Sequence, residues 1–454
     1  MLNTNINDIN RDLLRYLFIT FTYIFNNSKL SNKNTSQEKF INKEKLYGAN
    51  DYHPLPIVLE KGRGVFLWDT DGKKYYDFLS SYSAVNQGHC HPRLVKVIQE
   101  QSSKLTLTSR AFHNNILGDY MEFATKLFGF EKLLPMNTGA EGVETSIKIA
   151  RKWGHKIKGI KNNSSKIIVC DNNFHGRTTT IISFSSHNES KDFFGPHTPG
   201  FISVPFNDIE SLEQTFKNNL DVAGFLVEPI QGEAGVVVPN YDYLSKVRKL
   251  CDKYNVLLII DEIQTGIGRT GSLLSVCRNC DCNLFCERKK DFYIKPDILI
   301  LGKALSGGTY PVSAVLCNSD IMNVIKPGQH GSTFGGNPFA SRIAIEALKI
   351  ILEENLSKNA YRLGKIFRKK LREYISGSNI VKLVRGKGLL NAILINDKEN
   401  SKTAWNICLR LKEKGLLAKP THGNIIRFAP PLVITEAQLE ECIGIILKTL
   451  KEFD

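Results

Sequence analysis

The feature that most constrains this chain is an alternation of short, wholly apolar runs with amphipathic stretches of helical period. Ile167-Ile168-Val169-Cys170, Gly224-Phe225-Leu226-Val227, Val256-Leu257-Leu258-Ile259-Ile260 and Ile298-Leu299-Ile300-Leu301 are strand-length and carry no polar alternation. A strand that is apolar on both sides has to be covered on both sides. Helical patterns at 141–158, 209–218 and 243–254 lie between these runs and supply the cover. The pattern predicts an α/β architecture built on a mostly parallel sheet. From 338 onward the text changes. Helical patterns at 338–355, 356–376, 404–414 and 436–453, with strand-like pieces at 388–395 and 425–428, predict a smaller α+β domain.

The 454 residues are enough for two domains, and 42% hydrophobic with 23% charged residues describes a globular protein. The net charge of +15, more than half of it from Arg342 onward, is not accompanied by a zinc-finger spacing, an RNA-recognition signature or a basic-zipper run. It reads as solvated surface that suits anionic ligands, and nucleic acid is not expected as a partner. Of the ten cysteines, Cys90, Cys170, Cys251, Cys317, Cys408 and Cys442 are scattered, several inside apolar runs, which favours a reducing compartment over a disulfide scaffold. Residues 1–44 stand apart as an extension. Their apolar stretch at 13–25 is shorter than the roughly 20 residues that cross a bilayer, so no membrane partner is expected. Arg11 and Arg15 suit a targeting segment, whereas Asp8, Asp12 and the Asn/Ser/Lys-rich stretch that follows suit a low-complexity extension.

In an open parallel sheet, ligands sit beyond the carboxyl ends of the strands. Three apolar runs end in chemically loaded turns: Glu228-Pro229-Ile230-Gln231-Gly232-Glu233, Asp261-Glu262-Ile263-Gln264-Thr265-Gly266, and Gly302-Lys303-Ala304-Leu305-Ser306-Gly307-Gly308. A lysine directly after a buried strand loses solvation, which lowers its pKa and makes the amine a usable Schiff-base nucleophile. Alone, such a lysine reads more often as an ordinary strand-end side chain reaching for water. Asp261 at an equivalent strand end changes that, because pyridoxal phosphate (PLP) needs a lysine for its aldehyde and a carboxylate for its ring nitrogen. Its phosphate needs amides at a helix start, and Thr138-Gly139-Ala140-Glu141 leads into the helical pattern at 141–158.

With these residues together, the chain resembles the fold-type I, class III PLP-dependent aminotransferases, and within them the ornithine-using branch. The resemblance runs from about Lys45 to the C-terminus, and it rests on long stretches such as 77–92, 135–140, 174–178, 227–239, 260–266, 301–305, 330–338 and 415–431. It implies a large domain at 100–339, with a mostly parallel seven-stranded sheet covered by helices, and a small α+β domain from 45–99 with 340–454. It implies that Lys303 bonds PLP and moves the reaction's proton, that Asp261 pairs with the ring nitrogen and that Gln264 bonds the ring hydroxyl side. Phe174 stacks on the ring, and Gly139 and Ala140 hold the phosphate. Thr333, in Gly331-Ser332-Thr333-Phe334, would reach the phosphate of a neighbouring subunit, which implies a homodimer with active sites at the interface. For substrate, Tyr52 and Arg177 would take the distal end of L-ornithine, with Tyr82 bordering the same pocket. Arg427 would pair with Glu233 while ornithine is bound and turn to the carboxylate of 2-oxoglutarate or glutamate in the other half of the cycle. The implied products are glutamate 5-semialdehyde and glutamate, in proline and arginine metabolism. An acetylornithine or 4-aminobutyrate aminotransferase is the alternative within the class, and the residues for a charged distal end argue against it.

Two stretches depart from the family pattern. The chain carries an insertion at about 275–291, with Cys277, Cys280, Cys282 and Cys286 followed by Glu287-Arg288-Lys289-Lys290-Asp291. It reads as zinc ligands, as a redox switch or as a plain surface insertion; the spacing is cramped for one closed site, and no metal is expected. His89-Cys90-His91 lies inside a matched stretch and is assigned to structure. The N-terminal extension leaves the mitochondrial matrix and the cytoplasm both open as locations: its length favours the first and its composition does not.

Overall fold

The computed structural model of the protein describes residues 36–277 and 294–454. The apolar run at 13–25 and Cys280, Cys282 and Cys286 lie outside the described residues. The chain falls into two compact units, one of residues up to Lys61 with Trp68–Lys73, the other of Gly62–Leu67 with Lys74–Asp454. In the first, the helix Ser36–Tyr47 is held by Gln37, whose amide donates to Asp69 (3.1 Å) and Asp71 (2.6 Å) and accepts from the Val58 N–H (3.0 Å).

The second unit is built on seven strands: β1 Lys132–Met136, β2 Lys166–Cys170, β3 Phe201–Val204, β4 Val222–Val227, β5 Leu257–Asp261, β6 Ile298–Leu301 and β7 Ser313–Cys317. They lie in the order β1-β7-β6-β5-β4-β2-β3. Only β7 runs antiparallel to its neighbours; the pairs from β6 to β3 are parallel. The apolar runs of the sequence are β2, β4, β5 and β6, and β4 to β6 are buried along their whole length. The edge strands were less legible. β1 contains Pro135, which is tolerated at an edge because its missing N–H has no ladder bond to make there. One face of the sheet is covered by the helix Gly139–Lys156, whose Val143, Ile147, Ala150 and Trp153 share a core with Ile259, Ile298, Ile300 and Val315.

A second sheet holds β8 Val381–Lys387, β9 Leu390–Ile395, β10 Lys419–Thr421 and β11 Ile425–Phe428, all antiparallel in the order β8-β9-β11-β10. Leu390, Ala392 and Ile425 of this sheet pack on Ile230 and Val236, which lie in the turn beyond β4. That packing brings Arg427 of β11 to the carboxyl edge of the large sheet.

Arg269 sits where the substructures meet and is completely buried. Its guanidinium donates to Asn86 Oδ1 (2.6 and 3.2 Å), to the Leu389 carbonyl (3.0 Å) and to the Pro430 carbonyl (2.6 Å). Burial pushes its pKa down, with only the charge of Asp77 acting against this. Replacing it by leucine would strand Asn86 Oδ1 and two carbonyls without donors, each an unpaired buried acceptor worth about 1–3 kcal/mol. Arg269→Leu is therefore expected to lose at least about 3 kcal/mol of stability in denaturant unfolding. An unchanged midpoint would show that these contacts carry no weight.

Candidate active site

The loaded strand ends of the sequence converge. Beyond β2, β4, β5 and β6 lies a cavity of about 210 Å³ whose wall includes Gly139, Ala140, Phe174, Glu233, Asp261, Gln264 and Lys303. Lys303 is there because β6 ends at Leu301 and Gly302 opens a tight turn, Lys303–Ser306. Lys303 takes a left-handed φ of +47°, a conformation that costs an L-residue roughly 1–2 kcal/mol and that collects at functional sites. Burial lowers its pKa; Glu233 and Asp261 oppose that and Arg427 reinforces it. Among the described residues its ammonium makes no salt bridge, so the amine faces the cavity uncommitted.

Asp261 ends β5 with both oxygens engaged. Oδ2 is 2.7 Å from Nδ1 of His175, and Oδ1 accepts from the Ile263 N–H at 3.0 Å. His175 is fully buried and its Nε2 has no hydrogen-bond partner. Burial works against protonating His175, but the hydrogen bond and charge of Asp261, with Glu228, outweigh it and raise its pKa. Glu228, directly after β4, accepts from the amides of Phe174 (3.0 Å) and Gly232 (3.3 Å). The sequence reading used Phe174 and Asp261 but not His175 or Glu228. The only signals were a histidine beside a chosen aromatic and a carboxylate at a strand end, and neither shows its partner in one dimension.

The helix Gly139–Lys156 begins at the cavity with a capping box. Glu141 N–H donates to Thr138 Oγ1 (3.2 Å), and Glu141 Oε2 accepts from the Thr138 N–H (2.6 Å) and the Asn137 N–H (3.0 Å). The first helical amides, on Gly139 and Ala140, have no intrahelical acceptor and line the cavity. Gln264 donates from Nε2 to Glu233 Oε1 (3.1 Å), while its Oε1 is buried without a partner. A Cβ at Gly232 would collide with Gln264 Oε1, so a larger residue there would displace the Gln264 amide.

Glu233 Oε1 lies 2.6 Å from Nη1 of Arg427, which is 5% exposed. Burial works to raise the Glu233 pKa, but the charge and hydrogen bond of Arg427 hold it below the ordinary value. Tyr82 covers the pair, its ring centroid 4.8 Å from the guanidinium carbon. Phe174 and Glu233 also border a wider cavity of about 640 Å³ that holds Arg177, His187 and His422. Arg177 is exposed and lies 5.9 Å from the Phe174 ring. Thr333 is exposed and does not line either cavity, and Tyr52 is an exposed residue of the first unit.

The residues present fit PLP. An amine of lowered pKa and a buried carboxylate face a cavity that also offers helix-start amides and an orphan acceptor on Gln264, the partner a ring hydroxyl lacks. These are the parts of a Schiff-base transferase on an open α/β sheet. The aminotransferase class-III family pattern matches residues 47–450, and the chain belongs to that family, whose members depend on PLP. It is 57% identical over 409 residues to the ornithine aminotransferase, mitochondrial, of Drosophila melanogaster, covering 90% of each chain. Among solved structures it is similar to an ornithine aminotransferase from Toxoplasma gondii with partial occupancy of PLP at its active site (TM-score 0.87, 43% identity, covering 95% of this chain and 97% of that one). It is also similar to an acetylornithine aminotransferase from Elizabethkingia anophelis (TM-score 0.82, 56% identity, covering 92% of this chain and all of that one).

Burial pushes the Glu228 carboxyl from an ordinary 4.5 up to about 7; His175 opposes this and Asp261 adds to it. The folded state thus binds the proton more tightly than the unfolded chain, and the stability this contributes is complete below 4.5 and lost as pH rises through 7. Glu228→Gln has no such proton to lose, so its melting temperature should gain on that of the unsubstituted protein between pH 5 and pH 8. Parallel melting curves across that range would show that Glu228 is ionised throughout.

Proposed function

We propose that this chain is an ornithine aminotransferase that moves the δ-amino group of L-ornithine to 2-oxoglutarate, giving glutamate 5-semialdehyde and glutamate. The observation that carries the reading is the Glu233–Arg427 pair at 2.6 Å, roofed by Tyr82 and set beside Lys303. The class of relatives supports it.

PLP, when bound, supplies an aldehyde that accepts amines and a ring that stores an electron pair. The protein supplies the rest. Gly139 and Ala140 amides would hold the phosphate and Phe174 would cover a ring face. Asp261, kept in place by His175 and the Ile263 amide, would hold the ring nitrogen protonated. Gln264 Oε1 would accept from the ring hydroxyl. Lys303 Nζ, with its pKa lowered by burial, would serve as the nucleophile that holds the cofactor and as the base that takes up and returns a proton. Thr333 serves the phosphate of a second copy, so the working unit is a homodimer.

Ornithine offers a δ-amine at one end and an α-ammonium and α-carboxylate at the other. Tyr52 and Arg177 take that distal end, and Tyr82 borders it. During this half-reaction Glu233 neutralises Arg427, which would otherwise attract the α-carboxylate and present the wrong amine. When glutamate or 2-oxoglutarate binds, Arg427 leaves Glu233 for the α-carboxylate. Two substrates are thus told apart by exchange of a charge partner. The Elizabethkingia relative favours N-acetylornithine as the second reading. An acetylated end carries no ammonium, so the two donors separate the readings. The name of the Drosophila relative supports a mitochondrial location over the cytoplasm.

The purified protein is expected to absorb in the visible range and to lose that band on adding L-ornithine, but not with N-acetylornithine or 4-aminobutyrate. A colourless protein indifferent to amines would sink the assignment, and bleaching by N-acetylornithine alone would move it to the second reading. Glu233→Ala frees Arg427 permanently. A charge-assisted hydrogen bond is worth about 1.5–3 kcal/mol, so KM for glutamate should fall roughly tenfold while kcat/KM for ornithine drops. Equal changes for both substrates would mean that the pair is only structural.

A further inference from the structure

Four consecutive non-glycine residues, Ser80, Ser81, Tyr82 and Ser83, have φ of +48°, +46°, +59° and +72°. Single L-residues visit the left-handed region; a full turn of them is held there only if the surroundings over-determine it. The hydroxyls of Ser80 and Ser83 add a second cost, since both are buried without a hydrogen-bond partner.

The surroundings are visible at both ends of the turn. Before it, Asp77 Oδ1 accepts from the Leu79 and Ser80 amides at 2.8 Å each, while Asp77 Oδ2 is held 2.7 Å from His89. After it, Ser80 O accepts from the Ala84 (2.9 Å) and Val85 (3.1 Å) amides. Gln87 then donates to the carbonyls of Ala304 (3.0 Å) and Ala347 (3.1 Å). Ala304 is the neighbour of Lys303. Gly308, at the end of that lysine turn, approaches so closely that a Cβ on it would lie 2.8 Å from the Val85 side chain. The turn is thus fastened to the lysine-bearing turn, and what it presents in between is Tyr82, over Arg427 and Glu233.

We propose that the left-handed turn Ser80–Ser83 is the positioning element that sets the reach of the substrate site. It holds Tyr82, which stacks on Arg427 and borders the place of the distal end, at a fixed span from Lys303, and so selects amino donors by the number of carbons between the reacting amine and the charged end. This rests on the reading of the site as one for a diamino acid. Ser81 is exposed and lies outside the catalytic and binding residues, so changing it tests the handedness of the turn without opening the core.

The experiment compares kcat/KM for L-ornithine with that for L-2,4-diaminobutyrate, one carbon shorter, and L-lysine, one carbon longer. Valine is β-branched and resists positive φ; glycine accepts it freely. Ser81→Val, checked for cooperative melting and full cofactor absorbance, should lose about tenfold of the preference for ornithine over its two homologues. Ser81→Gly should keep the preference and melt about 1–2 °C higher. A Ser81→Val protein that keeps the preference, or loses all three activities in equal proportion, overturns the proposal. If Ser81→Val does not fold, a Ser81→Gly protein melting no higher than the unsubstituted one overturns it through the missing strain. An unsubstituted protein that reacts with none of the three diamino acids fails the functional reading instead, and the melting comparison still decides the turn.

Discussion

Arg269 ties together three segments of the chain, those of Asn86, Leu389 and Pro430. Its five N–H groups have no carboxylate to meet among the described residues; they meet Asn86 and the carbonyls of Leu389 and Pro430. A charge buried that way is tolerable because the donors are used on fixed dipoles, and only the planar fork of arginine can serve all of them at once. Asn86 lies just past the left-handed turn that carries Tyr82, and Pro430 lies just past β11, which carries Arg427. The stack of Tyr82 on Arg427 therefore inherits its geometry from a guanidinium that touches neither.

The inner cavity depends on a different balance. Asp261, Glu228 and Glu233 crowd one end of the sheet, where a buried carboxylate needs hydrogen bonds or a counter-charge. Each has a separate remedy. Asp261 has His175 and a backbone amide, Glu233 has Arg427 and Gln264, and Glu228 has only two amides. Glu228 is the one whose carboxyl is pushed to about 7. Lys303 completes the set with an amine whose pKa burial lowers, with Arg427 adding to that and the charges of Glu233, Asp261 and Glu228 acting against it.

Much of this was legible without coordinates. Uniformly apolar runs announced β2, β4, β5 and β6, because a strand buried on both faces leaves no room for polar alternation. The same runs announced Asp261 and Lys303, since a polar residue ending such a run must lie at the sheet's edge. His175 was passed over because a histidine next to an aromatic says nothing about what faces it. The left-handed turn was invisible for a stronger reason. Ser80-Ser81-Tyr82-Ser83 contains no glycine, and local preference alone assigns such a sequence negative φ.

The amino-acid sequence by itself thus determined the architecture, the lysine and the carboxylate, because each follows from local periodicity and from where periodicity stops. The tertiary structure decided what those residues face. It placed His175 on Asp261, Tyr82 on Arg427 and Arg427 on Glu233, pairings whose members lie far apart in the chain or are bent together against local preference. Such contacts are set by the packing of one sheet's turn against another sheet, and by a buried guanidinium holding both. No short stretch of sequence carries that information, because the forces that produce it exist only once the chain has closed on itself.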